Sequence, residues 1–463
     1  MWPSRASRGE FIATTAMFKS THKNGREVER FDVLTSAADS KLGNFFGVDA
    51  SAAPPGISHG VGVSFPMKKL FSLFGLALAT LTLHAADRPL TGVSDQPKDA
   101  AEALLPEELA GFRARLLIST TRHLDLLLKS DGNVAAIKGK TADGMTALSF
   151  QLLHELTGNP RYRVAARELA NRILRDMKAT PHGVLFIKEK ERGSGESIGG
   201  GGPPAFGWYV TAAAHILHQE TGRNEDLRYL ASVVDKFPWN QKGWWANTVD
   251  IKTGEPKEPL TKAGAINKNA GMALAAGILS EHMRQIDPVL ATRLKAKVDT
   301  CVYGQIIPAQ EPDGFWHYGL SGNDPKDKDI LGYFMLTTDA LLNLRHFAPT
   351  LRQPALDRAL DKAFAFARNQ IAPMTAPNQG PASTRTTRGT PARFEPSDDP
   401  KRGFTLGVIL VAGGNVRTAM RITDVWMKRF PEGDRGQSGA KSADSFAHML
   451  MLLPPESKQA PKS

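Results

Sequence analysis

The stretch Leu153-His154-Glu155-Leu156-Thr157-Gly158-Asn159 returns in altered form as Leu217-His218-Gln219-Glu220-Thr221-Gly222-Arg223. Each copy ends an apolar helical run, and its Thr-Gly marks the stop, because glycine readily takes the left-handed conformation that closes helices. Around the first copy, Gly144 to Leu156 and Tyr162 to Met177 read as the two arms of a helical hairpin. Around the second, Phe206 to Glu220 pairs with Asp226 to Phe237. The pattern continues with Asn269 to Ile286 and Pro288 to Ile306, then Ile330 to Phe347 and Pro354 to Ile371, then Phe404 to Arg429 and Ala443 to Leu453. Ahead of all of these, Glu107 to Lys129 carries Leu109, Phe112, Leu116, Leu117, Thr120, Leu124 and Leu127 at helical spacing.

Strand signals are poor. Gly183 to Lys188 and Thr248 to Lys252 could form short hairpin arms, and no alternating run is longer than a few residues. Hairpins too amphipathic to stand alone bury both faces only by stacking side by side, as an open solenoid or a ring. Here the turns within hairpins are short. The connections between hairpins are long: Thr180 to Ala205, Pro238 to Lys268, Gln310 to Asp329 and Ala372 to Arg402. Each precedes the first helix of a hairpin, so in an up-down arrangement all emerge at one rim. That asymmetry predicts an all-α fold, an α/α toroid forming an incomplete barrel of five to six hairpins, with a functional mouth. Thr375 to Pro400, rich in Pro, Thr, Arg and Ser, reads as a mobile connection.

The chain of 463 residues is 41% hydrophobic and carries a formal charge of +11, so it can bury a sizeable core. At Met67, Met-Lys-Lys precedes the apolar run Leu70 to Leu83 and the small-residue site Ala85-Ala86, the three parts of a secretory signal. That run falls short of the about 20 residues a membrane span requires. The expected organisation is therefore an upstream extension over 1–66, a signal peptide over 67–86 and a toroid domain over 87–463. The expected location is periplasmic or secreted, with no membrane in the mature form. Cys301, the single cysteine, excludes an intrachain disulfide and reads as a core residue. Nucleic acid is an unsuitable partner for an exported chain. The positive excess, spread along the sequence, matches an acidic polysaccharide or oligosaccharide.

The long loops would gather Trp208, Tyr209, Trp244, Trp316 and the segment Asn267-Lys268-Asn269 at the mouth, with Arg402 beside them. Tryptophan rings there either stack on sugar faces or cap the core near turns. Gly199 to Gly202 lacks the following Gly-Lys-Ser/Thr and the preceding strand of a phosphate loop, and reads as a flexible lip. His215 and His218 share a helix face, but no third ligand lies nearby in sequence, so a packed or surface pair is expected and no metal. In Asn267-Lys268-Asn269 one Asn serves as an N-cap, and the group together suits an anion. The Glu311 to Tyr333 stretch offers His317 and Tyr318, which either do chemistry or pack a rigid loop.

The region after residue 86 resembles the α/α-toroid carbohydrate-active enzymes, and within them the alginate-lyase-type polysaccharide lyases. In those, an Asn-rich segment opens an inner helix and an Asp-Gly loop leads to a helix near a catalytic Tyr. Asn267-Lys268-Asn269, Asp313-Gly314 and Tyr333 occupy the similar positions here. Ala270-Gly271 stand where the family has a His, and Lys326 or Lys328 where it has an Arg. The resemblance implies β-elimination on a uronate chain without a cofactor. Asn269 and Lys268 would neutralise the substrate carboxylate, His317 would act as base, and Tyr318 or Tyr333 as acid or base. A glycoside hydrolase on the same ring is the alternative; it needs two carboxylates, with Glu311, Asp313 and Asp339 available. Turn and helix-end roles account for Asp313 and Asp339. A third reading is a glycan-binding toroid without catalysis.

Overall fold

The computed structural model describes residues 19–21, 27–29, 104–129, 134–135, 140–180, 182–183, 186–189, 197–200, 203–247, 249–250, 253–256, 264–319, 331–374, 380–385, 393–397, 403–429 and 437–454. The chain divides into two compact units, Met1–Leu90 and Thr91–Ser463. In the first, β1 (Lys19–Thr21) pairs antiparallel with β2 (Glu27–Glu29). The signal stretch 67–86 lies outside the described residues, as do Lys326, Lys328 and Arg402.

The second unit contains twelve helices among its described residues: α1 (Pro106–Asp125), α2 (Lys140–Thr157), α3 (Pro160–Lys178), α4 (Pro203–His218), α5 (Asn224–Lys236), α6 (Ile266–Met283), α7 (Pro288–Val298), α8 (Leu331–Phe347), α9 (Pro354–Phe366), α10 (Gly403–Ala412), α11 (Val416–Arg429) and α12 (Gln437–Leu452). Local chemistry sets their ends. Asn159 caps α3 by accepting from the Arg161 amide at 3.1 Å, with Pro160 at the first helical position. Asp287 and Pro288 repeat this at α7, where the Asp287 carboxylate accepts from Leu290 N at 3.0 Å. Gly158 and Gly222, the glycines of the opening repeat, have φ of 68° and 76°.

The even-numbered helices pack in the order α2, α4, α6, α8, α10, α12 and back to α2, which closes an inner ring; the odd-numbered helices lie outside it. The sequence explains the sorting. Outer helices such as α3 and α5 bury one face only, whereas α6 is buried nearly all round and is rich in Ala and Gly. These small residues let ring neighbours touch backbone to backbone. A Cβ on Gly207 of α4 would lie 2.3 Å from the Gly271 carbonyl oxygen of α6.

Two expectations change. Phe404 to Arg429 is two helices, broken at Gly413-Gly414-Asn415, where Gly414 has φ of 78°. The last inner helix, α12, consequently takes its outer partner from the start of the unit, α1, so the ring is complete with six pairs. Arg113 of α1 fastens this seam, donating to the terminal carbonyls of Leu450, Leu453 and Pro454 at 3.3, 3.2 and 2.9 Å. Arg115 forks onto Asp424 and Arg417 onto Glu108 between α1 and α11. Solvent screening leaves such exposed pairs little net energy; the burial of Phe112, Leu116 and Leu124 holds the seam and the ion pairs fix its register.

The long connections all reach the N-terminal ends of inner helices and the short turns all follow their C-terminal ends, giving a long-loop rim and a short-turn rim. Small antiparallel ribbons punctuate the long-loop rim: β3 (Phe186–Glu189) with β4 (Ser197–Gly200), β5 (Trp239–Asn240) with β6 (Trp244–Trp245), and β7 (Gly380–Arg385) with β8 (Arg393–Ser397). The last ribbon replaces part of the mobile connection expected over 375–400. In Thr248 to Lys252 the described part is one isolated bridge, Val249 to Pro256. No described helix is long and apolar enough to cross a membrane.

Candidate functional site in the ring

At the long-loop rim, the Glu311–Gly319 loop is built around Gly314, whose φ is 99° and whose Cβ, if present, would lie 2.3 Å from the Lys362 carbonyl oxygen. This turn sends Phe315 and Trp316 into the core. Phe315 contacts Phe334 and Phe366 at 5.4 and 5.3 Å between ring centroids, and the Trp316 indole donates to the Ile306 carbonyl at 2.9 Å. His317 follows, buried, with Nε2 3.2 Å from a Glu311 carboxylate oxygen. The Tyr318 carbonyl then accepts from Ile266 N at 2.7 Å, and Gly319 bridges to Ala265, so the loop is laced to the start of α6. The Tyr318 and Tyr333 rings lie 4.7 Å apart, both partly exposed. The structure thus brings His317, Tyr318, Tyr333 and the first turn of α6 into one neighbourhood.

The other residues expected at the mouth have different environments. Ala265, not an Asn, is the N-cap of α6 and offers no side-chain cap. Asn267, Lys268 and Asn269 sit inside the first turns, with Lys268 partly buried. The Asn269 side chain is fully buried: its oxygen accepts from Trp245 N at 2.8 Å and its nitrogen donates to the Ala265 carbonyl at 3.0 Å. That amide ties the β6 ribbon to the helix. Trp208, Tyr209, Trp244 and Trp316 are each at most 2% exposed, so their ring faces pack the core and offer no open platform for a sugar. Tryptophans near turns are core caps here because the loops fold down over the ring wall.

The ring interior holds a constellation that the sequence reading missed. Asp339 and Asn343 stand one turn apart on α8, and Asp444 and His448 one turn apart on α12; all four are buried. Asp339 is at mid-helix, not at a helix end, which corrects the role assigned from sequence. The Asn343 amide donates to the Asp339 side chain at 3.2 Å, and His448 Nδ1 lies 3.6 Å from Asp444. The Trp208 ring of α4 lies 6.5 Å from His448 across the ring. Burial pushes the Asp339 carboxyl up to about 7, with the charge of Asp444 acting in the same direction against His448. Burial also opposes charge on His448, but Asp444 and Asp339 outweigh it and raise the imidazole to about 9. Polar and ionisable groups one turn apart inside an apolar inner helix, Asp339…Asn343 and Asp444…His448, were the available signal.

A second polar group lies toward the short-turn rim. His215 Nε2 is 3.1 Å from Glu155, which also receives Gln151 and Gln219. Burial works against charge on Glu155, yet these hydrogen bonds bring it down to about 2. His218 stacks on His282 at 3.8 Å, and burial together with the two neighbouring histidines depresses His282 to about 3. Among the described residues, no three His, Cys, Asp or Glu are arranged to hold a metal. A cavity of about 450 Å³ opens at this rim and reaches inward to Asn343 and His448, the residues that touch the two aspartates. Its volume is in the range of small-ligand sites.

No protein family model matches the sequence and no curated protein matches it. Solved structures do. A cellobiose 2-epimerase from Bacillus thermoamylovorans is 10% identical over 75% of this chain and 99% of its own, with a TM-score of 0.54. A sugar epimerase from a ruminal bacterium is 11% identical over 74% and 98%, at 0.53. The chain has the α/α-toroid fold of carbohydrate-active enzymes. A family 105 glycoside hydrolase from C. acetobutylicum also matches, 12% identical over 81% of this chain and 99% of its own, at a TM-score of 0.45. At these identities the likeness is one of fold, and activity has to be argued from the site.

Proposed function

We propose that the chain is a glycan-acting enzyme, a glycoside hydrolase using the ring-interior carboxylates, in preference to the β-eliminating lyase suggested by the sequence resemblance. The observation that carries this reading is the Asp339/Asp444 pair. Two carboxyl groups are buried in the ring interior beside the His448 cation, and burial raises the proton affinity of Asp339. A hydrolase needs two carboxyl groups, one of which keeps a proton to donate to the leaving oxygen. Asp339 donates its proton to the glycosidic oxygen as the bond to the anomeric carbon breaks. Asp444 either activates the attacking water or attacks the anomeric carbon itself. A lyase needs donors that neutralise the substrate carboxylate, and the amide assigned to that task, Asn269, is spent on Trp245 and Ala265.

The substrate proposed is an acidic, uronate-containing glycan, supported by the chain's positive excess. Export rests on the Met67 to Ala86 pattern. The test is product chemistry on uronate-containing oligosaccharides. New reducing ends without the ultraviolet absorbance of an unsaturated uronate are expected. An absorbing product would restore the lyase with His317, Tyr318 and Tyr333 as its candidates. A sugar altered in configuration without a new reducing end would indicate an epimerase, and binding without any product would leave a glycan-binding toroid.

A further inference from the structure

We infer that the cavity at the short-turn rim is a recognition site for a small sugar carrying a carboxylate, with His448 Nε2 as the donor that anchors that group. This deepens the hydrolase reading by placing the entrance and the selecting residue of the same interior site.

The first observation is an unmet hydrogen bond. His448 is 6% exposed, and neither ring nitrogen has a hydrogen-bond partner; Nδ1 faces Asp444 at 3.6 Å and the ring lines the cavity. A buried polar group without a partner costs free energy, and an acceptor entering the cavity would remove that cost. The second observation is charge. Arg345 and Arg352 both line the cavity and both lean on one carboxylate, Asp357, at 3.5 and 2.8 Å. Two guanidinium groups against one carboxylate leave the wall positive. The third is shape and polarity: Leu342, Val408 and Met451 give the remaining wall an apolar surface suited to the C–H face of a sugar ring, and about 450 Å³ limits the guest to a small one. Hydrogen-bond donors and cations together with hydrocarbon in one cavity wall fit a sugar acid better than a neutral sugar or a bare inorganic anion.

The site is on the rim opposite the long loops, where Trp244 and Trp316 are packed into the core.

Titration calorimetry of the full chain with glucuronate, glucose and inorganic phosphate tests the inference. Glucuronate should bind at least about tenfold more tightly than either other ligand, the scale of a charge-assisted hydrogen bond. His448→Gln should weaken glucuronate at least about tenfold. Arg345→Gln, a change on the cavity wall that leaves the buried aspartate pair intact, should weaken it severalfold, and unchanged thermal melting of both variants would show that they fold. Equal binding of glucose and glucuronate, or glucuronate binding indifferent to both variants, overturns the inference. Phosphate binding as tightly as glucuronate overturns the sugar part of it. Hydrolysis without carboxylate selectivity would sink this inference and spare the hydrolase; selective binding without hydrolysis would do the reverse.

Discussion

Asn269 at one end of the ring and His448 toward the other differ in how their polar atoms are satisfied. At the long-loop rim, several conspicuous residues are fastened: the Asn269 amide makes two backbone hydrogen bonds, the Trp316 indole donates to Ile306, and Tyr318 offers its carbonyl to α6. Toward the short-turn rim, burial raises the proton affinity of Asp339, and His448 has a nitrogen without a partner beside a cavity. A residue whose hydrogen bonds are complete builds structure. A buried titratable group whose bonds are incomplete is where a ligand gains most.

The sharpest way to break this contrast is to remove chemistry from each end in turn. Asp444→Asn should lower the rate of glycan cleavage by about a hundred- to ten-thousandfold, the range for loss of a general acid or base. Tyr318→Phe and Tyr333→Phe, which keep the paired rings, should change it by less than about threefold. Comparable losses at both ends, read as initial rates of reducing-end release, would erase the contrast.

Stability should show the opposite pattern. Asn269→Ala strands the Trp245 N–H and the Ala265 carbonyl in the interior, and should cost about 2–4 kcal/mol by urea unfolding. A cost below about 0.5 kcal/mol would mean the amide is not a structural tie.

Stability should also depend on pH through the interior. Asp339 rises from an ordinary value of 3.8 to about 7, so the folded state holds the extra proton and loses stability as pH climbs between the two. His448 rises from 6.5 to about 9, so its contribution is complete below 6.5 and is lost as pH climbs to about 9. His282, lowered from 6.5 to about 3, acts in the other direction and only below 6.5. Above 6.5 the losses therefore act unopposed by His282, and the melting temperature should fall from pH 6.5 to 9. His448→Gln should flatten that fall, and an unaltered slope in the variant would remove the imidazole as its source. The smallest effect belongs to the seam. Arg115→Gln gives up an exposed ion pair with Asp424 and should shift stability by no more than about 1 kcal/mol.

Much of the ring was legible in the sequence because its signals are local. Thr157-Gly158-Asn159-Pro160 carries a helix stop, a cap and a helix start within four residues, and loop lengths alone sort the connections to two rims. Ring closure was not legible, since it rests on contacts such as Arg113 with the Leu450 carbonyl, made between the first and last helices of the unit. The site was misread for a related reason. Tryptophans and a Trp-His-Tyr loop stand out in composition, but composition does not say which way a ring faces. Asp339 and Asp444 lie in different helices, and their pairing exists only once the ring has formed.

If the ring-interior carboxylates do the chemistry, Asp339→Asn removes the proton donor. The measurement is reducing-end release from a uronate-containing oligosaccharide by the wild type and by this variant, with the melting temperature of each recorded alongside. Activity should fall at least about a hundredfold in a variant that still folds. Full activity in Asp339→Asn would contradict the proton-donor role.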